Sequence, residues 1–169
     1  MAGPLIEMNL QGWAGMYELL RSLPSEVVSK RGGPVKAALR KGANVILKAE
    51  KANLRAVMGH QVDGEKQAST GLLLKNLVTR RGKAPASGNG ERYIVGPKRK
   101  TYQRKGGKPV TTLKTAQILE YSSQKQPAEP FIRPAFNAKA AEATRTVESE
   151  LIKSVDKIVA KLAQQNKGK

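Results

Sequence analysis

Apolar residues recur at helical spacing in three parts of this chain. Trp13, Met16, Tyr17, Leu19, Leu20 and Leu23 fall close to i, i+3, i+4, i+7 spacing and stop at Pro24, which predicts a short amphipathic helix. Ser25 is placed to cap a second piece carrying Val27 and Val28, which Gly32-Gly33 before Pro34 then breaks. A longer pattern runs from Pro34 to about Val57. It sets Val35, Leu39, Ile46, Leu47, Leu54 and Val57 near one face, with Lys36, Arg40, Lys48, Lys51 and Arg55 mostly elsewhere. Glu50 shares a turn with Leu47, so this face is mixed at its edge. The third pattern runs from about Ala135 to Gln165, with Val147, Leu151, Val155, Ile158 and Leu162 at spacings of 4, 4, 3 and 4. Ile152 and Val159 widen that stripe, which suits either a broad core face or contact with another subunit.

The middle of the chain reads differently. Leu72-Leu73-Leu74 followed by Leu77-Val78 is a dense apolar run that can begin as a helical turn and end as a strand, and periodicity does not separate the two. Arg92-Tyr93-Ile94-Val95 is the clearest strand, ended by Gly96-Pro97, and the Gly82–Gly90 segment with its Asn89-Gly90 pair is a turn that joins the two strands as a hairpin. Val110 and Thr111-Thr112 favour a strand, whereas Leu113 to Leu119 suits a short helix. The expected class is α+β: a small antiparallel sheet packed by a long helix in the N-terminal half and a long C-terminal helix. We expect a single domain, with residues 1–33 as a helical segment, 34–134 as helix plus sheet, and 135–169 as the last helix.

Composition narrows the function. A length of 169 residues with 4% aromatic content gives a modest aliphatic core and argues against a large enzyme-like pocket. Without cysteine, disulfides, thiolate catalysis and sulfur-bound zinc are excluded, and a reducing cytoplasm is the natural setting. His60, the single histidine, has no second metal-ligand type beside it and reads as a loop residue. Phosphate-binding, dinucleotide-binding and nucleophile-elbow motifs are missing, so we expect no enzyme and no cofactor. The sequence has no leader-like start and no long apolar run, which disfavours membrane insertion.

Charge is the strongest compositional signal. The formal net charge is +18, and the stretch from Leu72 to Lys108 holds eleven Lys and Arg against one acid, Glu91. Within it, Lys98, Arg99, Lys100, Arg104, Lys105 and Lys108 form a basic arm folded back near Gly106-Gly107. With Arg80 and Arg81 these residues are the candidates for contact with a polyanion or an acidic protein surface. A DNA contact here would be to phosphates and independent of sequence. A solvated, solubilising loop is the plain alternative.

A last stretch, Glu120 to Phe136, contains three of the nine prolines and both phenylalanines. Pro127, Pro130 and Pro134 stiffen the path and place Phe131, Ile132 and Phe136 at defined positions before the final helix, a rigid hinge that docks it. Glu120-Tyr121-Ser122-Ser123, a polar spacer and then Pro130-Phe131-Ile132-Arg133-Pro134-Ala135-Phe136 resemble the C-terminal signature of the tail-completion, or head-to-tail joining, proteins of long-tailed double-stranded DNA phages. Ser69-Thr70-Gly71-Leu72-Leu73 and the Arg92–Gly96 strand belong to the same resemblance, which covers about the last hundred residues. The chain departs from it at Ser122, where the family more often has glycine.

The resemblance implies a structural virion protein, made in the bacterial cytoplasm, that forms a hexameric ring at the neck or tail top. Its neighbours would be tail-terminator, connector or tail-tube proteins. Pro130, Phe131, Ile132, Arg133, Pro134 and Phe136 would then lie at the subunit interface. Two rivals remain: a free basic nucleic-acid-binding module, and an assembly factor absent from the mature particle.

Overall fold

Two long helices lie side by side, and the reason is legible at one glycine. In the computed structural model, which describes residues 33–59, 71–83, 91–103, 107–124 and 127–167, helix α1 spans Gly33–Gly59 and helix α4 spans Ile132–Lys167. A Cβ added at Gly42 of α1 would sit 2.5 Å from Val147 Cγ2 and 2.8 Å from the Ala143 carbonyl oxygen of α4. Only glycine lets the two backbones approach so closely. The predicted segment around Trp13–Leu23, the cap at Ser25, His60 and the Asn89-Gly90 turn lie outside the described residues.

Between the long helices come α2 (Leu72–Asn76), β1 (Leu77–Arg81), β2 (Tyr93–Pro97), β3 (Thr101–Tyr102), β4 (Val110–Thr111) and α3 (Thr112–Tyr121). The ambiguous leucine run does both things: it makes one helical turn after Gly71, whose φ of 65° favours glycine, and then becomes a strand. β1 and β2 pair antiparallel with Leu77 opposite Pro97 and Arg81 opposite Tyr93, the expected hairpin. A second, shorter pair joins β3 to β4 with Thr101 opposite Thr111. Val110–Thr111 is a strand and Leu113–Leu119 is helical, so that segment also divides as its residue types suggest. The architecture is α+β, with α1 packed against both α4 and the β1–β2 hairpin.

The core has two parts. Leu54, Leu73, Leu77, Ala116, Leu119 and Phe131 form the larger cluster, where α1, α2, α3 and the start of α4 converge. Ala38, Val147 and Leu151 form a smaller one farther along the helix pair, with Val35 and Leu39 against it. The C-terminal stripe is therefore only partly core. Val147 and Leu151 are buried, Val155 and Ile158 are half-buried, and Ile152 and Val159 are more than half exposed.

Candidate functional site

The basic arm is anchored at its root. Thr112 is fully buried where β4 passes into α3; its Oγ1 donates to the Lys98 carbonyl at 2.6 Å and accepts from the Lys100 N–H at 3.0 Å. Its own N–H donates to the Lys100 carbonyl, and the Lys98 N–H donates to Asn76 O. The Tyr102 and Thr115 hydroxyls meet at 2.6 Å. The described base of this arm is the antiparallel β3–β4 pair, held by a buried threonine. Lys98, Arg99, Lys100 and Lys108 are all exposed, while Arg104 and Lys105 lie outside the described residues.

Of the two candidates on β1, only one joins this group. Arg80 reaches the Pro97 carbonyl, which brings its charge beside Lys98. Arg81 instead forms a two-pronged contact with Glu91, at 2.7 and 2.6 Å, and Lys36 approaches the same carboxylate at 3.6 Å. The Arg81 hydrogen bond holds the Glu91 carboxyl below its usual range and raises the guanidinium in turn. Arg81 is thus tied to Glu91 within the chain, with its side chain still more than half exposed.

The proline-rich hinge is built around Glu120. This carboxylate, nearly fully buried, accepts backbone N–H groups from Phe131, Ile132 and Arg133, each at 3.0 Å, and the Arg133 Nε at 2.9 Å. The start of α4 has unpaired N–H groups and no acid in its own first turn, so α3 supplies the cap from across the fold. Burial pushes the Glu120 carboxyl up, but the three N–H donors and the guanidinium outweigh it and hold it below the ordinary value. Arg133 also donates to the Glu120 carbonyl and lies 5.0 Å over the Tyr121 ring. Pro134 falls in the first helical turn, where its missing N–H costs nothing.

The hinge docks the last helix as expected, and it does so within one chain. Phe131 is fully buried, with its carbonyl accepting from Asn53 Nδ2 of α1. Its assignment to a subunit interface is therefore corrected: it is a core residue. Pro130, Arg133 and Pro134 are exposed, and Ile132 and Phe136 are half-buried.

A feature not anticipated from sequence lies beside the hinge. Between α1, β2 and the first half of α4 there is an apolar groove of about 750 Å³, lined by residues that include Ile46, Glu50, Val95, Phe136 and Ala140. Glu50 is 1% exposed and its Oε2 has no hydrogen-bond partner. Burial, and secondarily the negative charge of Glu120, push its pKa up to about 7. The mixed edge where Glu50 shares a turn with Leu47 was the one sequence signal of this site. Nothing local to Thr112 or Glu120 marked either as an anchor.

Among the described residues, no group of three or more histidine, cysteine or acidic side chains gathers as a metal site, and no helix is long and apolar enough to cross a membrane. These features define an α+β protein with a rooted basic hairpin and an open apolar groove. No protein-family model matches the chain, and no curated protein or solved structure is significantly similar to it.

Proposed function

We propose that this chain is a non-enzymatic structural subunit of a phage neck or tail top, where an oligomeric ring, hexameric by the family resemblance, completes the tail and joins it to the head. The observation that carries the reading is the pairing of a stiff, Glu120-capped hinge with a rooted, exposed basic hairpin on one small body. A ring would repeat Arg80, Lys98, Arg99 and Lys100 around its axis and make a positive collar. Such a collar suits the DNA passing through the neck or an acidic face of an adjoining ring, and long-range attraction would orient joining.

The test is the mass of the purified full chain by light scattering, at low and high salt, with and without double-stranded DNA. A closed ring, or a concentration-dependent passage from monomer to ring without DNA, supports the reading. A persistent monomer that binds DNA with a steep salt dependence favours the rival nucleic-acid-binding module, for which the net charge of +18 is the specific argument. Replacing Lys98, Arg99 and Lys100 by Gln should leave the fold intact and lower the salt slope of DNA binding by about 3. An unchanged slope would make the hairpin a solubilising element only.

A further inference from the structure

The groove holds one buried acceptor that lacks a donor among the described residues. Glu50 Oε2 lies in its wall without a hydrogen-bond partner, while Leu39, Ile46, Val95 and Phe136 make the surrounding lining apolar. A fitting occupant is apolar over most of its surface and brings one N–H or O–H to that oxygen, because a buried acceptor left unpaired costs free energy. Tryptophan has this chemistry, a large apolar ring carrying an indole N–H that takes a partner when buried. The chain has one tryptophan, Trp13.

Trp13 belongs to a stretch that joins α1 close to the groove. At helical spacing Trp13, Met16, Tyr17 and Leu20 share one face, with Glu18 and Ser22 on the opposite one, so no acid of the stretch confronts Glu50. Leu23 precedes Gly33, the first residue of α1, by ten residues, which span up to about 33 Å. The groove begins at Leu39, six residues into α1 and about 9 Å along it, so the chain can reverse before α1 and lie back along that helix. Register then selects the pairing. With Leu23 beside Leu39 and the two segments antiparallel, Met16 falls at the level of Ile46, and Trp13, about 15 Å from Leu23, at the level of Ala49 and Glu50.

We propose that residues 13–23 of this same chain dock in the α1–β2–α4 groove, antiparallel to α1, with the Trp13 indole N–H donating to Glu50 Oε2. The apolar face of the segment then covers Ile46, Val95 and Phe136, and the indole supplies the donor that the carboxylate lacks among the described residues. The groove is by this assignment a seat for the chain's own N-terminal segment.

A single tryptophan makes the test direct, since the fluorescence of the full chain reports on Trp13 alone. Its emission should be blue-shifted from that of the urea-unfolded chain, weakly quenched by acrylamide and unchanged on dilution. Ala140→Lys, at the groove wall, should return emission and quenching to the unfolded values while circular dichroism still shows a folded chain. Ala140→Gln takes its place if the lysine variant unfolds. Urea unfolding of Trp13→Phe and Glu50→Leu, alone and combined, should show a coupling of about tenfold in the unfolding equilibrium constant. A Trp13 as quenchable as in urea, or one that is buried yet indifferent to the Ala140 variants, overturns the docking and leaves the groove to residues 60–70 or another partner. Emission that shifts red on dilution overturns it in favour of a second copy. Additive effects of the two substitutions overturn the Trp13–Glu50 pairing. None of these readouts requires a ring, so a failed ring leaves this assignment standing.

Discussion

Replacing Glu120 by Gln tests the proposition that one buried carboxylate holds the last helix in place. Glu120 Oε2 accepts from the Phe131 and Ile132 N–H groups, and Oε1 accepts from the Arg133 N–H and Nε. Glutamine keeps the shape but converts one of these oxygens to an NH2, so at least two N–H donors face another donor. Hydrogen bonds to a charged acceptor are worth about 1.5 to 3 kcal/mol each, and buried donors left unpaired pay their desolvation in full. Two such losses, partly relieved by local relaxation, put the cost at about 3 kcal/mol. Equilibrium urea denaturation at pH 7, followed by circular dichroism, measures it from the shift in midpoint at constant slope.

The Glu120 effect also has a pH signature. Because the folded Glu120 carboxyl is held below its ordinary value, its contribution is present above the unfolded pKa and is lost as pH falls through the folded one. The difference between wild type and variant should therefore shrink in acid. A cost under about 1 kcal/mol at pH 7 would refute the argument, since that is the scale of an exposed ion pair.

Further expectations concern the groove, the helix crossing and the end of α3. Glu50→Gln should raise stability above pH 7 and change little below about pH 4.5: the carboxyl titrates near 7 in the fold, so wild-type stability declines by about 3 kcal/mol as pH rises between those values. Urea midpoints at pH 5 and pH 8 check this, and equal shifts at both would show that its charge is not the cost. Gly42→Val should destabilise by about 1 to 3 kcal/mol, because even its Cβ collides with Val147 and the Ala143 carbonyl; thermal melting that matches wild type would mean the helices can part freely. Ser122→Gly should stabilise by about 1 kcal/mol, since Ser122 has φ 73° and ψ 173°, a region that belongs to glycine. A loss of stability on that substitution would mean that a Ser122 side-chain contact outweighs the backbone strain.

The legible part of this protein was local. Helical periodicity marked α1 and α4 to within a few residues, the Arg92–Val95 run marked β2, and the β-branched Val110 to Thr112 marked the change into α3, because spacing and side-chain shape act over one or two turns. Proline geometry marked the hinge for the same reason. The tertiary structure decided what those elements meet. It placed Phe131, expected at a subunit interface, fully inside the core of one chain and bound Arg81 to Glu91. It made Glu120 the cap of a helix that starts twelve residues later and left Glu50 Oε2 without a hydrogen-bond partner beside an apolar groove. Each of those outcomes depends on which backbone N–H, charge or methyl group arrives from a distant part of the chain, and no local pattern carries that information.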